Sequence, residues 1–307
     1  MALVFHNGKF IPEQNIQKSN EEARVLRLLR SFLDQNEPGL VRILMNTWRS
    51  QGNAITYKEL REAILAGDIN PEWLEDWMQD YSRLVADHLL PAWENAIEEA
   101  FKEKAAKYPL WNYDPVSDGV RRWVESHSAE FVTNVSTTQI EGLRAVVQRA
   151  AVLEDLTVDE LARVIRPMVG LTKPQAAANM NYYETLLAHG TSQKRARDLS
   201  ARYAAQQHRS RAYTVARTEL ATAYNAGAHE ATKQAQAMGY LGEVMKIWCT
   251  AFDERVCATC GAMEGVEAAM DEEFNGASPS WSTRLHPPVH PGCRCAVIYQ
   301  EVKKTKY

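Results

Sequence analysis

Two groups of cysteine and histidine residues near the C-terminal end constrain this chain more than any other feature. Cys257 and Cys260 form a Cys-x-x-Cys pair, and the run His290-Pro-Gly-Cys293-Arg-Cys295 follows after a gap of 29 residues. Two thiolates three residues apart can reach one ion without moving the backbone. Zinc takes four sulfur or nitrogen ligands in a tetrahedron, and paired cysteine and histidine residues supply such ligands. The spacing therefore predicts a structural zinc site.

The candidate ligands outnumber the four positions of a zinc tetrahedron. One complete set consists of Cys257, Cys260, His290 and Cys293. Cys295 can replace His290 or Cys293, because alternate residues of an extended strand share a face. His286 is a reserve candidate. Cys249 stands alone in an apolar run, which is typical of a small buried side chain.

The same cysteines are compatible with two other chemistries. In a reducing compartment, four clustered cysteines favour metal ligation over disulfides. In an assembled particle outside the cell, disulfides between the two groups would cross-link the same loop. Inert thiols are the third alternative.

Helical periodicity dominates the chain before these cysteines. Thr56 and Glu59 form a Thr-x-x-Glu capping box, and Gly67 is a typical helix end. Pro91 is expected to kink or split the helical stretch that begins after Pro71. A long alanine-rich helix is predicted from about residue 192 to residue 238, with Gly227 as its internal glycine.

Strand patterns occur only near the two ends of the chain. Asn7-Gly8 between two short apolar runs predicts a β-hairpin. After Gly239 the apolar period changes to that of a strand, and Cys295–Tyr299 is expected to pair beside it. The fold class is therefore predicted as mainly α, with long helices, a short antiparallel sheet and a small C-terminal α+β module resembling a zinc knuckle.

A segment rich in proline and aromatic residues, 105–118, interrupts the helical pattern. It predicts three regions: an N-terminal helical region with a hairpin at 1–115, a helical region at 116–240 and the zinc-binding module at 241–307. No chemistry is visible in the first region.

Basic residues are densest in the first half of the long helix. They are Lys194, Arg195, Arg197, Arg202, Arg209 and Arg211. Either they form a solvated face, or they contact a DNA backbone or an acidic partner, since aligned cations can follow phosphates. The net charge of −4 gives no general attraction to nucleic acid. Further along lie Arg217-Thr218-Glu219, Tyr224 and Asn225. They form either a polar active-site face or a buried network that docks the helix on the zinc module, and the docking network is favoured.

The composition is that of a globular protein, with 45% apolar and 24% charged residues. The first ten residues lack a secretory pattern, and no run approaches 18 apolar residues. We therefore expect synthesis in the cytoplasm and no membrane contact.

Four motifs in order resemble the phage Mu F-like head morphogenesis family, the minor head proteins of tailed phages. The motifs are Arg211-Ala-Tyr-Thr-Val-Ala-Arg217-Thr218-Glu219, Ala223-Tyr224-Asn225-Ala226-Gly227, Asp253-Glu-Arg255-Val256-Cys257-Ala-Thr-Cys260 and Pro287-Pro288-Val-His290-Pro291-Gly-Cys293-Arg294-Cys295. The resemblance covers about the last 170 residues, from near Phe131 onward.

This resemblance implies a minor structural protein of the phage head, made in the host and located inside the virion head. It implies action in procapsid assembly near the portal. The partners it implies are the portal protein, the major capsid or scaffolding protein, or both. Residues 1–115 add nothing to the match and are expected to be the part that docks on this phage's own partner. It also implies possible carriage or ejection with the DNA.

Two rival classes need comparison. A zinc-dependent hydrolase or nuclease would use His286 or His290 with Asp253 or Glu264, and its zinc would keep one position open to water. Here enough cysteine and histidine residues are present to close the site, and no Walker loop, nucleophile elbow or His-Glu-x-x-His helix occurs. A DNA-binding zinc module is favoured by the basic helix, but this sequence has no finger helix between its two ligand pairs. The sequence therefore predicts a protein that is not an enzyme.

Overall fold

The computed structural model describes residues 3–6, 9–12, 19–153, 155–251, 253, 256–275 and 284–302. Helices form most of this part of the chain. They are α1 (Asn20–Ala54), α2 (Tyr57–Ala66), α3 (Glu72–Leu84), α4 (Leu90–Ala105), α5 (Asp118–Ala150), α6 (Val158–Ile165), α7 (Lys173–Ala188), α8 (Gln193–Ala237) and α9 (Ala258–Met263). The strands are β1 (Leu3–His6), β2 (Lys9–Pro12), β3 (Val244–Cys249), β4 (Glu267–Ala269) and β5 (Ala296–Glu301). The predicted fold class, long helices with a small C-terminal antiparallel sheet, is confirmed.

The chain divides into two compact units, and neither is one continuous stretch of sequence. Unit 1 comprises Met1–Pro38, Pro91–Val124 and Thr214–Tyr307, and unit 2 comprises Gly39–Leu90 and Glu125–Tyr213. The predicted sequential regions, with boundaries at 115 and 240, divide the chain differently and stay a prediction. The physical reason is that α1, α5 and α8 are long, and each contributes residues to both units.

Local capping signals define both ends of α2 as predicted. The Thr56 side chain accepts the Glu59 N–H, and the Glu59 carboxylate accepts the Thr56 N–H at 2.7 Å. Gly67 ends α2 at φ 69°, a left-handed conformation that glycine adopts without a steric penalty. These contacts are local, which explains why the sequence alone revealed them.

A π-helical segment, Val85–Leu89, joins α3 to α4. Pro91 is the second residue of α4, so the chain remains helical there. A proline lacks an N–H and crowds the preceding turn, and the wider π turn relieves that crowding. The predicted disturbance at Pro91 therefore takes the form of a change in helix type.

Unit 2 contains a buried polar network around Tyr81. The Trp48 indole Nε1–H donates to the Tyr81 hydroxyl at 2.8 Å, and that hydroxyl donates to Gln139 Oε1. Gln139 Nε2 in turn donates to Gln51 Oε1 at 3.0 Å. Burial raises the pKa of Tyr81 to about 12, so this hydroxyl is a neutral hydrogen-bonding group.

The described residues form two small antiparallel sheets, both in unit 1. In the first, β1 pairs with β2 in the register Leu3↔Pro12, which confirms the predicted hairpin; its turn, Asn7-Gly8, lies outside the described residues. In the second, the strand order is β4-β3-β5. Trp248 lies opposite Val297 and Cys249 opposite Ala296. The predicted return strand is therefore present, and it begins directly after Cys295.

No helix in the described ranges has the length and apolar character needed to cross a bilayer.

Candidate metal centre

The first cysteine pair is positioned by a short helix. Cys257 is the N-cap of α9, and its Sγ accepts the Cys260 N–H at 3.3 Å. An N-cap residue has an extended backbone conformation, and its side chain therefore lies over the first turn of the helix. Cys257 is exposed, whereas Cys260 is 3% exposed. The two sulfurs therefore approach the same point from the solvent side and from the core.

His290 completes the first group of three donors. Its Nε2 lies 3.2 Å from Cys257 Sγ and 3.0 Å from Cys260 Sγ. Its Nδ1 lies 3.0 Å from the Pro291 carbonyl oxygen. A proton on Nδ1 would be donated to that carbonyl, which leaves the Nε2 lone pair directed at the sulfurs. Metal-binding histidines are commonly oriented by such a second contact.

Cys293 and Cys295 form a second group with Cys260. The ligand atoms of these three residues lie within 4.8 Å of one another, as do those of Cys257, Cys260 and His290. The Cys260 and Cys293 sulfurs are 3.7 Å apart. Cys260 thus belongs to both groups, and the structure brings all five predicted ligands to one place.

These separations fit a tetrahedral zinc ion. With Zn–S near 2.3 Å and Zn–N near 2.0 Å, ligand atoms at the tetrahedral angle lie about 3.5–3.8 Å apart. The sulfur–sulfur distance of 3.7 Å matches, and the sulfur–nitrogen distances of 3.0 and 3.2 Å are a few tenths shorter. The residues present therefore suit zinc in both chemistry and spacing.

The sulfurs are also part of the unit 1 core. Cys260, Cys293 and Cys295 are each 2–3% exposed and pack in one apolar cluster with Trp248 and Phe274. The Trp248 and Phe274 rings meet edge to face with centroids 5.1 Å apart. A bound ion here would be surrounded by packed side chains on its inner side.

Competition for protons separates the pKa values of the buried thiols. The Cys260 thiol donates to Cys293, which lowers the pKa of Cys293 and raises the pKa of Cys260. The pKa of Cys295 is raised by its bonds to the same two sulfurs and by burial. For Cys257, burial opposes ionisation, but the Cys260 N–H and His290 outweigh it and lower the pKa. A dication would remove this competition, because it favours the thiolate on every ligand.

Two residues of α8 hold the backbone of the second cysteine group. The Gly292 N–H donates to Thr218 Oγ1 at 2.9 Å, and Asn225 Nδ2 donates to the Cys295 carbonyl at 3.4 Å. Both α8 residues belong to the motifs that were predicted to dock this helix. Arg217, from the same motif, forms two bonds with Glu37 at 2.6 and 2.8 Å. The sequence did not reveal that partner, which is 180 residues away.

The side chains considered for an enzymatic reading have structural contacts. Asp253 accepts two hydrogen bonds from Arg294, at 2.6 and 2.7 Å. Glu264 is 5% exposed and accepts the Thr250 N–H at 2.7 Å. His286 Nδ1 lies 2.9 Å from the Pro287 carbonyl. In the described ranges, His286 belongs to no group of three side chains whose metal-binding atoms lie within 4.8 Å of one another.

Cys249 is fully buried, as predicted. Its sulfur nevertheless lies within 4.8 Å of carboxylate oxygens of Glu22 and Glu264. This group has two carboxylates and one thiol, a poorer match to a structural zinc site than three or four sulfurs with an imidazole.

Lys246 is a further site residue that sequence reasoning missed. It is 0% exposed, and its Nζ donates to the Glu272 carbonyl at 2.5 Å and the Leu285 carbonyl at 2.9 Å. Burial lowers its pKa to about 8. The strand period was an available signal, since Val244, Lys246 and Trp248 fall on one face of β3 and all three are buried.

The predicted basic residues of α8 do not all face solvent. Lys194, Arg195, Arg202 and Arg209 are exposed. Arg197 is half-buried and pairs with Glu160 at 2.5 Å. Arg211 is 6% exposed, its guanidinium donates to the Gly170 carbonyl, and it lies 4.8 Å from the Trp48 ring centroid. The prediction that Arg211 binds DNA or a partner is therefore wrong, because this residue lies in the interior of unit 2.

Comparison with known families bears on the same part of the chain. Residues 148–298 match the family model described as Phage Mu protein F like protein. This region belongs to the phage Mu F-like family. The Mu F-like region begins somewhat later than the predicted start near Phe131, and it contains all five cysteine and histidine ligands together with Thr218 and Asn225. The match supports a protein related to the phage head. No curated protein and no solved structure matches this chain at a significant level.

Proposed function

We propose that this protein is a minor head protein of a tailed phage that acts in head assembly, and that its Mu F-like region is stabilised by one structural zinc ion. The observation that carries the proposal is the convergence of Cys257, Cys260, His290, Cys293 and Cys295 inside the matched residues. The portal, major capsid or scaffolding protein is the proposed partner, and the head interior is the proposed location.

A structural role suits this metal centre better than a catalytic one. Catalytic zinc needs an open coordination position and a base within reach. Here five donors compete for four positions, and three of the cysteines lie in the core. Asp253 is held by Arg294 and Glu264 by a backbone N–H, so neither carboxylate is positioned as a base. The role that we propose for this protein is therefore structural and not enzymatic.

The zinc content of the purified protein tests this assignment. Under reducing conditions, one zinc per chain is expected for the unaltered protein. The double variant Cys257→Ser/Cys260→Ser should lose the metal, and its three-stranded sheet should unfold, because the free energy of metal binding contributes to the free energy of folding. Cys249→Ala is the matched control, since it removes a buried thiol outside the five ligands and should retain zinc. Unaltered protein without zinc would contradict the proposal.

The head role needs a separate experiment. Co-purification from phage-infected cells should recover the portal, capsid or scaffolding protein with the full chain, and particles should contain the protein. A parallel infection with the zinc-ligand double variant should yield heads that lack it. Recovery of the protein only outside particles would contradict a head function while leaving the zinc assignment intact.

The exposed arginines of α8 favour a second property, contact with DNA. Arg195, Arg202 and Arg209 are spaced seven residues apart, which places them along one helix face about 10 Å apart. We call these three residues the basic row. Asp198 is also exposed on that side and weakens the local potential. Phosphate contacts of this kind are independent of base sequence and fall steeply with salt.

Alanine substitution of the basic row tests this contact. If the row binds phosphates, the triple variant should lose salt-dependent DNA retention. Arg42→Ala/Arg49→Ala is the matched control, because both arginines are exposed on α1. Equal retention by the triple variant and the control would show that the row is a solvated face.

A further inference from the structure

The five donors of the candidate metal centre are not equivalent, and a tetrahedral zinc ion takes only four of them. Four of the residues form two pairs with a spacing of three, Cys257 with Cys260 and His290 with Cys293. Cys295 belongs to neither pair and comes directly before β5. The local structure of the two pairs and of Cys295 indicates which donor is left over.

A tight turn joins the second pair. The Cys293 N–H donates to the His290 carbonyl oxygen at 3.2 Å, and Gly292 has φ 75°. Proline followed by a glycine with positive φ is typical of the two central positions of a type II turn, whose first and last Cα atoms lie within about 7 Å. His290 and Cys293 are therefore held side by side, as Cys257 and Cys260 are by the first turn of α9.

Backbone N–H groups surround the sulfur of one cysteine in each pair. The Cys257 sulfur accepts the Cys260 N–H at 3.3 Å. The Cys293 sulfur interacts with the backbone N–H groups of Val289 and Cys295, which favour its thiolate form. Such donors stabilise a metal-bound thiolate and fix the direction of its lone pairs. Cys257 and Cys293 therefore both have the surroundings of a zinc ligand.

Cys295 is fixed as a core residue. Its carbonyl oxygen accepts a hydrogen bond from Asn225 Nδ2 at 3.4 Å, and the next residue, Ala296, is the first residue of β5. Its sulfur lies in the apolar cluster of unit 1 and interacts with the sulfurs of Cys260 and Cys293. An apolar environment disfavours a thiolate. The Cys295 side chain is therefore placed to pack behind the ligands.

The link to His290 separates Cys293 from Cys295, which burial alone does not. Both cysteines are 2% exposed, both lie within 4.8 Å of the Cys260 sulfur, and neither belongs to the group of three donors that contains His290. Cys293 shares a turn with His290, so its sulfur can follow the imidazole towards an ion. A similar movement of Cys295 would pull on β5. The Cys260 and Cys293 sulfurs are already 3.7 Å apart, the separation expected for two zinc-bound sulfurs.

We propose that Cys257, Cys260, His290 and Cys293 are the four zinc ligands, and that Cys295 is an uncoordinated thiol that positions the Cys293 sulfur from the core side. This inference rests on the zinc ion proposed above. Three thiolates and one neutral imidazole leave the centre with a single net negative charge. Four thiolates would leave two negative charges, which are more costly to bury beside an apolar cluster.

Cobalt substitution tests the ligand set, because each bound thiolate adds to the sulfur-to-cobalt charge-transfer absorption. Cys293→Ala and Cys295→Ala are a matched pair, two residues apart and equally buried. In Cys295→Ala, the absorption per cobalt should equal that of the unaltered protein. In Cys293→Ala, it should fall by about one third, the share of one thiolate in three, or cobalt binding should be lost. The opposite order, or an equal effect of the two substitutions, would overturn the inference.

X-ray absorption at the zinc edge counts the ligands without any substitution. The unaltered protein should show three sulfurs at about 2.3 Å and one nitrogen at about 2.0 Å. Four sulfurs would overturn the inference even if an alanine variant fails to fold. Unaltered protein that binds neither zinc nor cobalt would instead refute the structural zinc ion itself.

Discussion

Replacing Gly227 with alanine tests how closely α8 and α4 pack in unit 1. A Cβ added at Gly227 would lie 2.6 Å from Ile97 Cα, 2.9 Å from the Ile97 carbonyl oxygen and 3.2 Å from Ala100 Cβ. The first two contacts are with backbone atoms, which cannot rotate away. The two helices would have to separate locally by about 1 Å to reach ordinary van der Waals distance.

Two opposing effects set the size of the loss. Overpacking a well-packed contact costs about 1–3 kcal/mol, and the backbone clash places Gly227→Ala near the upper end. Alanine regains about 1 kcal/mol of helix propensity over glycine. The net expectation is a loss of about 1–2 kcal/mol, or roughly 2–6 °C in melting temperature for a protein of this size.

Gly39→Ala is the matched control. Gly39 lies inside α1, and among the described atoms none is within 4 Å of the added Cβ. The same chemical change should therefore stabilise the protein by up to about 1 kcal/mol. Thermal and denaturant unfolding of both variants measures the difference. If Gly227→Ala were as stable as Gly39→Ala, the close approach of α8 to α4 would be refuted.

Three further predictions concern buried polar groups. Tyr81→Phe should lower the free energy of unfolding by about 2–4 kcal/mol, because it leaves the Trp48 indole N–H and the Gln139 carbonyl oxygen without their partner. Denaturant titration measures this loss, and unchanged stability would contradict the hydrogen-bond network. Stability should fall as pH decreases from 6.5 towards 3, because the pKa of His229 is 6.5 when unperturbed and about 3 when folded, so the unfolded chain binds the proton first. This loss amounts to at most on the order of 5 kcal/mol and should be smaller in His229→Phe, whereas parallel pH profiles would exclude a role for His229. Lys246→Met should lower the free energy of unfolding by about 1–3 kcal/mol, because it removes both hydrogen bonds of the ammonium group. Urea unfolding measures this loss, with Lys233→Met as the control because the Lys233 side chain is more exposed. Equal losses in the two variants would refute a stabilising role for the buried Lys246.

Local signals explain most of what could be predicted. The box at Thr56 and Glu59 involves residues three apart, and the Cys257–Cys260 pair is likewise set by one helical turn. The second ligand group could be joined to the first because zinc chemistry demands four donors, whatever the intervening fold. The motif around Thr218 and Asn225 was read correctly as a docking surface, because small polar side chains on an alanine-rich helix need a partner.

The remaining features depend on contacts between distant parts of the chain. Arg211 was grouped with the other basic residues because charge is visible in the sequence, but its burial beside Trp48 depends on a contact 163 residues apart in the chain. The division into two units could not be predicted from the loop at 105–118, since that loop lies inside unit 1. Long helices that serve both units leave no composition change at the boundary.

An isolated β-bridge between Phe274 and Arg284 marks a place where this chain can change length. Phe274 and Arg284 are held opposite each other by the Phe274 N–H and the Arg284 carbonyl, 2.9 Å apart, and Lys246 binds the carbonyls on either side of them. The chain between them therefore starts and finishes at neighbouring fixed points. Where two such points are joined by a flexible chain, doubling its length costs only about 0.6 kcal/mol of closure entropy. An epitope tag or a fluorescent label inserted there would leave the cysteine ligands in place and make the protein traceable during particle assembly.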